Sequence, residues 1–239
     1  IMYILGINIS HHASLALLKD GEMIYYLEDD RWSRKKEVSW KLKTFIRSII
    51  DIQKYTKHLD HIIFTSFCRG YNYEVDFYDD PSDAQLMEEV KKQLGQSNIS
   101  FDNEYYFLEH HLYHACSAFY GSGFEEAAAL VLDGGGAYVR DYIECRESET
   151  MYYFSETGKH KLLSQIYTPN NIAKFDKPLK IEDNKWISST SSCGGLFNHS
   201  CTLTQLYTPG KLMGISPHGN IDEIKDDEWF YHDNETDRW

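Results

Sequence analysis

Residues 109–136 constrain the fold of this chain more than any other stretch. They read Glu109-His110-His111-Leu112-Tyr113-His114-Ala115-Cys116-Ser117-Ala118-Phe119-Tyr120, a short link, then Ala127-Ala128-Ala129-Leu130-Val131-Leu132-Asp133-Gly134-Gly135-Gly136. The first part has helical spacing, and one turn places His110 and His114 on the same face. The second is an apolar run closed by an acid and glycines, which predicts a buried strand entering a tight turn. If strand and helix pack together, Asp133 approaches both imidazoles. Two histidines and one carboxylate leave open positions on a metal, the pattern of an iron(II) or catalytic zinc site. His111 stands where an H-E-x-x-H helix carries its glutamate, which argues against zinc peptidase chemistry. Two plainer readings stand beside these. A histidine pair at this spacing also serves to cap a helix or line a core. The glycines serve either a hairpin turn or close approach of backbone N–H groups to phosphate.

A chain of 239 residues has room for one large domain or two small lobes. Its formal charge of -13 runs against binding a nucleic-acid backbone. No apolar run reaches membrane-spanning length, and no signal peptide is recognisable. The five cysteines are scattered and none forms C-x-x-C, so neither a zinc knuckle nor a disulfide framework is indicated. A cytoplasmic location is the simplest expectation.

In chain order, strands are expected at 3–9, 15–18 and 23–27, with Asp20-Gly21 as a hairpin turn. They would form an antiparallel meander. The charged run Glu28 to Glu37 reads as a solvated loop, or as a phosphate site using Arg31, Arg34 and Lys36. A helix with Ser39 as N-cap follows, then a strand at 61–67. Residues 71–83 are expected as loop, 84–94 as a helix and 105–108 as a strand. After the strand ending at Asp133, strands at 138–144 and 151–154 would complete a second meander. This order looks like a duplicated lobe. Residues 162–183 carry prolines and little periodicity and are expected to be mostly loop. Ser188 to Gly195 reads as a helix N-terminus able to hold an anion, or as a linker. A helix at 196–206, a glycine-punctuated loop at 209–219 and an acidic tail from Asp222 close the chain.

Four blocks resemble the NodU/CmcH-type O-carbamoyltransferase family in its N-terminal transfer domain. They are Leu5 to Gly21, Glu28 to Lys36, the histidine block with Phe124 to Ala128 and Leu132-Asp133-Gly134, and Gly210 to Gly219. The resemblance implies an α/β chain of actin-like/Hsp70-like ATPase fold with RNase H-like lobes, related to the tRNA threonylcarbamoyl transferases. By position, His110, His114 and Asp133 match the family's metal ligands. His11 and Lys36 match its residues near the adenylate and carbamoyl group. His12 stands where the family usually has Asp, and Ala137 where an acid or small polar residue is common.

The domain division expected is 2–124 for a first lobe, 125–220 for an incomplete second lobe and 221–239 for the tail. The function implied is carbamoyl transfer from carbamoyl-adenylate to a substrate hydroxyl, by a truncated or split enzyme. Its cofactors would be Fe2+, with Zn2+ second, and ATP or carbamoyl-adenylate. His11 would take the hydroxyl proton, Lys36 would balance phosphate charge, and Arg34 with Gly134, Gly135 and Gly136 would face the nucleotide. No segment resembles the family's YrdC-like domain, so this chain by itself is not expected to make carbamoyl-adenylate. The partners expected are a small hydroxyl acceptor, a separate chain supplying the missing lobe and YrdC-like domain, or a second copy. The alternative is a non-catalytic module binding nucleotide or metal, or a subunit of a complex.

Overall fold

The computed structural model describes residues 1–9, 13–34, 42–65, 83–106, 109–139, 142–169, 177–189, 192–203 and 217. His11, Lys36, Ser39, residues 71–82 and the tail from Asp222 lie outside the described residues, as does the 209–219 loop apart from Pro217. The chain is α/β and divides into two compact units, residues 1–110 and 111–239.

Unit 1 contains β1 (Tyr3–Asn8), β2 (Ser14–Lys19), β3 (Glu22–Glu28), α1 (Asp29–Ser33), α2 (Leu42–Ile52), β4 (His58–Thr65), α3 (Asp83–Gln96) and β5 (Ser100–Tyr106). The β2–β3 turn is Asp20-Gly21, with φ of 51° and 89°, as its sequence demands. The sheet runs β3-β2-β1-β4-β5. β1, β2 and β3 form the antiparallel meander, and β4 and β5 join it in parallel. Leu5, Ile7, Leu15 and Leu17 alternate inward from the strands. Ile49 and Ile52 of α2 and Met87, Val90 and Leu94 of α3 close over them at helical spacing. β5 starts at Ser100, not at Tyr105 as expected. Its exposed polar residues Ser100, Asp102, Asn103 and Glu104 carry no apolar signal, because it is the sheet's edge strand.

Unit 2 contains α4 (His110–Ser122), whose first residue is the last of unit 1, β6 (Ala127–Leu132), β7 (Tyr138–Val139), β8 (Tyr142–Phe154), β9 (His160–Pro169), β10 (Leu179–Glu182), β11 (Lys185–Ile187) and α5 (Cys193–Leu203). Its six-stranded sheet runs β10-β11-β9-β8-β6, with β7 paired to β8. Two expectations fail here. The strands predicted at 138–144 and 151–154 belong largely to one strand, β8, whose middle is polar. The predicted loop at 162–183 is mostly β9 and β10 among its described residues. Its prolines do not interrupt strands: Pro169 ends β9 and Pro178 immediately precedes β10. α4 lies on this sheet through Ala115 and Phe119, packed with Ala129, Val131, Tyr152 and Phe154. Phe119 stacks on Phe154 with centroids 4.6 Å apart. On the opposite face of β6, Leu130 and Leu132 are 59% and 53% exposed.

Among the described residues, no helix is long and apolar enough to cross a membrane.

Candidate functional site

α4 is seated by a stripe at four-residue intervals, His111, Ala115 and Phe119, all buried. Each neighbour in sequence is turned by about 100° around the helix. His110 and His114 therefore run along the flank of the seated stripe. His110 is close to buried, and His114 is exposed. On β6, Ala129 and Val131 face the helix, and the two-residue period carries the next odd position, Asp133, to the same side. The Asp133 N–H donates to the Ser148 carbonyl at 2.8 Å, extending the ladder one residue past the strand. One ligand atom each from His110, His114 and Asp133 then lies within 4.8 Å of the others. Two imidazole nitrogens and one carboxylate oxygen fit a borderline divalent ion such as iron(II) or zinc. The exposed edge at His114 leaves such an ion open to a further ligand.

Behind this trio lies a buried polar network that sequence reasoning missed. The Glu147 carboxylate is 3% exposed and accepts three N–H groups. They are the backbone amides of His111 (3.3 Å) and Ala137 (3.0 Å), and Nε2 of Gln165 (2.7 Å). Tyr167 donates its hydroxyl to Gln165 Oε1 at 2.8 Å. His111 Nδ1 lies 2.8 Å from Thr150 Oγ1, and its Nε2 lies 3.6 Å from Asp133 Oδ2. Glu147 and Thr150 have opposite parity along β8, yet both reach His111. A register shift between Glu147 and Glu149 against β9 reconciles them, the re-aiming that a bulge provides. The two-residue spacing of Thr150, Tyr152 and Phe154 and of Gln165 and Tyr167 was a signal for Thr150 and Gln165, and none marked Glu147.

The three glycines take different parts. The Gly136 N–H donates to the Glu147 carbonyl at 2.8 Å, so that amide is already used. A Cβ on Gly136 would stand 2.8 Å from both the His111 ring and Glu147 Oε2. Gly135 packs against the Arg146 side chain. Gly134 borders α5, where a Cβ on Gly194 would overlap the Asp133 carbonyl and Gly134 N. At the α5 N-terminus, where the sequence allowed an anion site or a linker, two amides are met by the protein's own groups. Ser192 Oγ accepts the Gly195 N–H at 2.9 Å, and Glu149 accepts the Cys193 N–H at 3.1 Å. Burial first, then Glu149, pushes the Cys193 thiol above its ordinary pKa.

Arg34 belongs to unit 1. It caps α1 in the left-handed conformation at φ 57°, its N–H bonded to the Asp30 carbonyl. A second donor trio in that unit, His58, Asp60 and Asp102, also has ligand atoms within 4.8 Å. His58 Nε2 lies 3.3 Å from Asp102 Oδ2, and both side chains are largely exposed.

The sequence profile described as carbamoyltransferase N-terminus matches residues 78–232, more than half of the chain. This chain belongs to that family. Within it, the histidine helix, the Asp-Gly turn and the whole buried network fall inside the matched segment. The chain is 30% identical over 159 residues to the uncharacterized protein sll1178 of Synechocystis sp. (strain ATCC 27184 / PCC 6803 / Kazusa), covering 57% of this chain and 26% of that protein. It is 26% identical over 142 residues to the nodulation protein NolNO of Sinorhizobium fredii (strain NBRC 101917 / NGR234), covering 54% of this chain and 20% of that protein. The match thus spans about a quarter or less of the length of these two relatives.

Proposed function

We propose that this chain carries the acceptor-side chemistry of O-carbamoyl transfer, moving a carbamoyl group from carbamoyl-adenylate to a substrate hydroxyl. The observation that carries this reading is the convergence of His110, His114 and Asp133 in a chain of this family. The unit 1 sheet order β3-β2-β1-β4-β5, a meander continued by two parallel strands, supports an RNase H-like lobe and hence an actin-like ATPase fold. His110, His114 and Asp133 hold the divalent metal, iron first and zinc second. When bound, that ion supplies Lewis-acid stabilisation of the negative charge that grows during transfer.

The remaining work falls to the chain's own groups. His11 takes the proton of the attacking hydroxyl, a task suited to an imidazole near neutral pH. The hydroxyl oxygen forms its bond to the carbamoyl carbon as the bond from that carbon to the adenylate oxygen breaks, releasing AMP. Lys36 and Arg34 offset the phosphate charge. The acceptor is a small molecule bearing a hydroxyl, and the adenylate is supplied by a YrdC-like domain, in a longer protein or on a separate chain.

The test supplies carbamoyl-adenylate, Fe2+ and a panel of sugar, nucleoside and other hydroxyl acceptors to the purified chain. The readout is carbamoylated product by mass spectrometry. Transfer that depends on added Fe2+ and is lost in His114→Ala and Asp133→Asn is expected. Transfer at wild-type rate in both variants would overturn the assignment of the site.

A further inference from the structure

We propose that His111 is a positioning residue for Asp133, its ring held by Thr150 and its helix turn held by Glu147. The inference rests on the reading of Asp133 as a metal ligand only for its catalytic meaning. The positioning itself is a property of this chain's own residues.

His111 has no exposed surface, so neither ring nitrogen is served by bulk water. Nδ1 meets Thr150 Oγ1 at 2.8 Å, and Nε2 faces Asp133 Oδ2 at 3.6 Å. A threonine hydroxyl donates or accepts, so Thr150 suits either tautomer. Asp133 does not. With Thr150 donating to Nδ1, the proton sits on Nε2 and points its positive end at the Asp133 carboxylate. The other tautomer sets a nitrogen lone pair against a carboxylate oxygen in a dry site, where such repulsion is poorly screened. The geometry therefore selects the Nε2–H form, the second partner that an oriented metal-binding carboxylate needs. A separation of 3.6 Å exceeds a hydrogen bond. It is a dipole–charge contact, short enough to bias which way the carboxylate turns.

Glu147 fixes the distance over which this contact acts. Its carboxylate ties the first turn of α4 through His111 N, the glycine turn through Ala137 N, and β9 through Gln165. Helix start and Asp133 turn are thereby referred to one buried group. Gly136 makes the room, since a Cβ there would collide with the His111 ring. The third glycine of the Asp-Gly-Gly-Gly run is thus accounted for by the histidine it admits.

The experiment uses the full chain, with Asp133→Asn, Thr150→Val, His111→Gln and His111→Phe. Long-range 15N–1H NMR of the metal-free protein reads the His111 tautomer. The Nε2–H form is expected in the wild type, with its proton shifted in Asp133→Asn and the tautomers mixed in Thr150→Val. Co2+ titration reads affinity, and thermal melts show that each variant folds. His111→Phe is expected to weaken Co2+ binding by about 10- to 100-fold. His111→Gln, which keeps an N–H donor, is expected to recover part of the loss. If His111→Phe does not fold, the near-isosteric Thr150→Val carries the test, with a smaller loss expected. An Nδ1–H tautomer in the wild type, or Co2+ affinity unchanged in the folded variants, overturns the proposal. A wild type that takes no Co2+ yet shows Nε2–H sensitive to Asp133→Asn would refute the metal reading and uphold the positioning of Asp133.

Discussion

The two donor trios of this molecule have nearly the same chemistry and very different surroundings. His110, His114 and Asp133 in one place, and His58, Asp60 and Asp102 in the other, each bring three ligand atoms within 4.8 Å. The second trio comes from a strand ladder. His58 faces Ser100 across β4 and β5, and the two-residue period puts Asp60 and Asp102 on the same face. Its members have other engagements. Asp60 Oδ2 accepts the Tyr3 N–H at 2.6 Å, and His58 Nδ1 meets Ser100 Oγ at 2.9 Å. The side chains of His58 and Asp102 are 48% and 61% exposed, so water and rotamer freedom compete with any ion. The first trio is backed by a ring, a hydroxyl and a carboxylate that are all buried. Proximity of donors is common on a protein surface. Fixed orientation of donors requires a second layer that is itself fixed.

Metal titration gives the sharpest contrast. His114→Ala or Asp133→Asn is expected to weaken the tightest Co2+ or Zn2+ site by more than the roughly 100-fold that marks loss of an outer partner. His58→Ala should leave that site untouched. Isothermal titration calorimetry on the three variants checks both halves, and a loss of tight binding in His58→Ala alone would reverse the ranking of the trios.

Stability should separate the regions next. Glu147→Gln places an amide donor among three N–H groups that need an acceptor, a cost of about 2–3 kcal/mol. Asp102→Asn at the exposed pair should cost less than about 1 kcal/mol. Urea unfolding measures the two, and equal effects would show that burial does not distinguish the regions.

The smallest expected effect is chemical. Glu149 holds the Cys193 amide and raises the thiol pKa, second to burial. Glu149→Gln should lower that pKa and speed alkylation of Cys193 by iodoacetamide near pH 8, since the thiolate is the reactive form. Peptide mass mapping follows this residue alone. An unchanged rate would mean that Glu149 does not govern the α5 N-terminus.

Much of the first trio could be read from sequence because its causes are local. Four-residue spacing sets His110 above His114, and an apolar run ending in Asp-Gly delivers Asp133. The Asp20-Gly21 hairpin is legible for the same reason. The layer behind the trio was barely legible, since strand periodicity touches Thr150 and Gln165 and misses Glu147. Cys145 to Thr150 is polar and falls between the two strands expected at 138–144 and 151–154, yet it runs inside β8, where Glu147 and Thr150 are satisfied by groups far away in the chain. β9 was hidden by prolines that only bound it or its neighbour. His111 registered as an obstacle to peptidase chemistry, since nothing nearby in sequence announces Thr150 or Asp133 as its neighbours. The roles assigned to His11 and Lys36 came from resemblance, and those two residues lie outside the described residues.

The reach of the Glu147 network has a consequence in time. Its contacts join residues 36, 18 and 10 positions apart, and the His111–Thr150 contact joins residues 39 apart. The two contacts from His111 to β8 demand closure of a long loop before they can repay the entropy lost, whereas α4 itself and the β8–β9 hairpin, which brings Gln165 to Glu147, form over shorter separations. During refolding from urea, helix and sheet signals should therefore return before the proposed Co2+ binding does. Stopped-flow circular dichroism set against the cobalt absorption band would time the two, and simultaneous recovery would place Glu147 in the nucleus. On the expected order, a newly made chain holds His110, His114 and Asp133 for an interval in which they are near one another and not yet aimed.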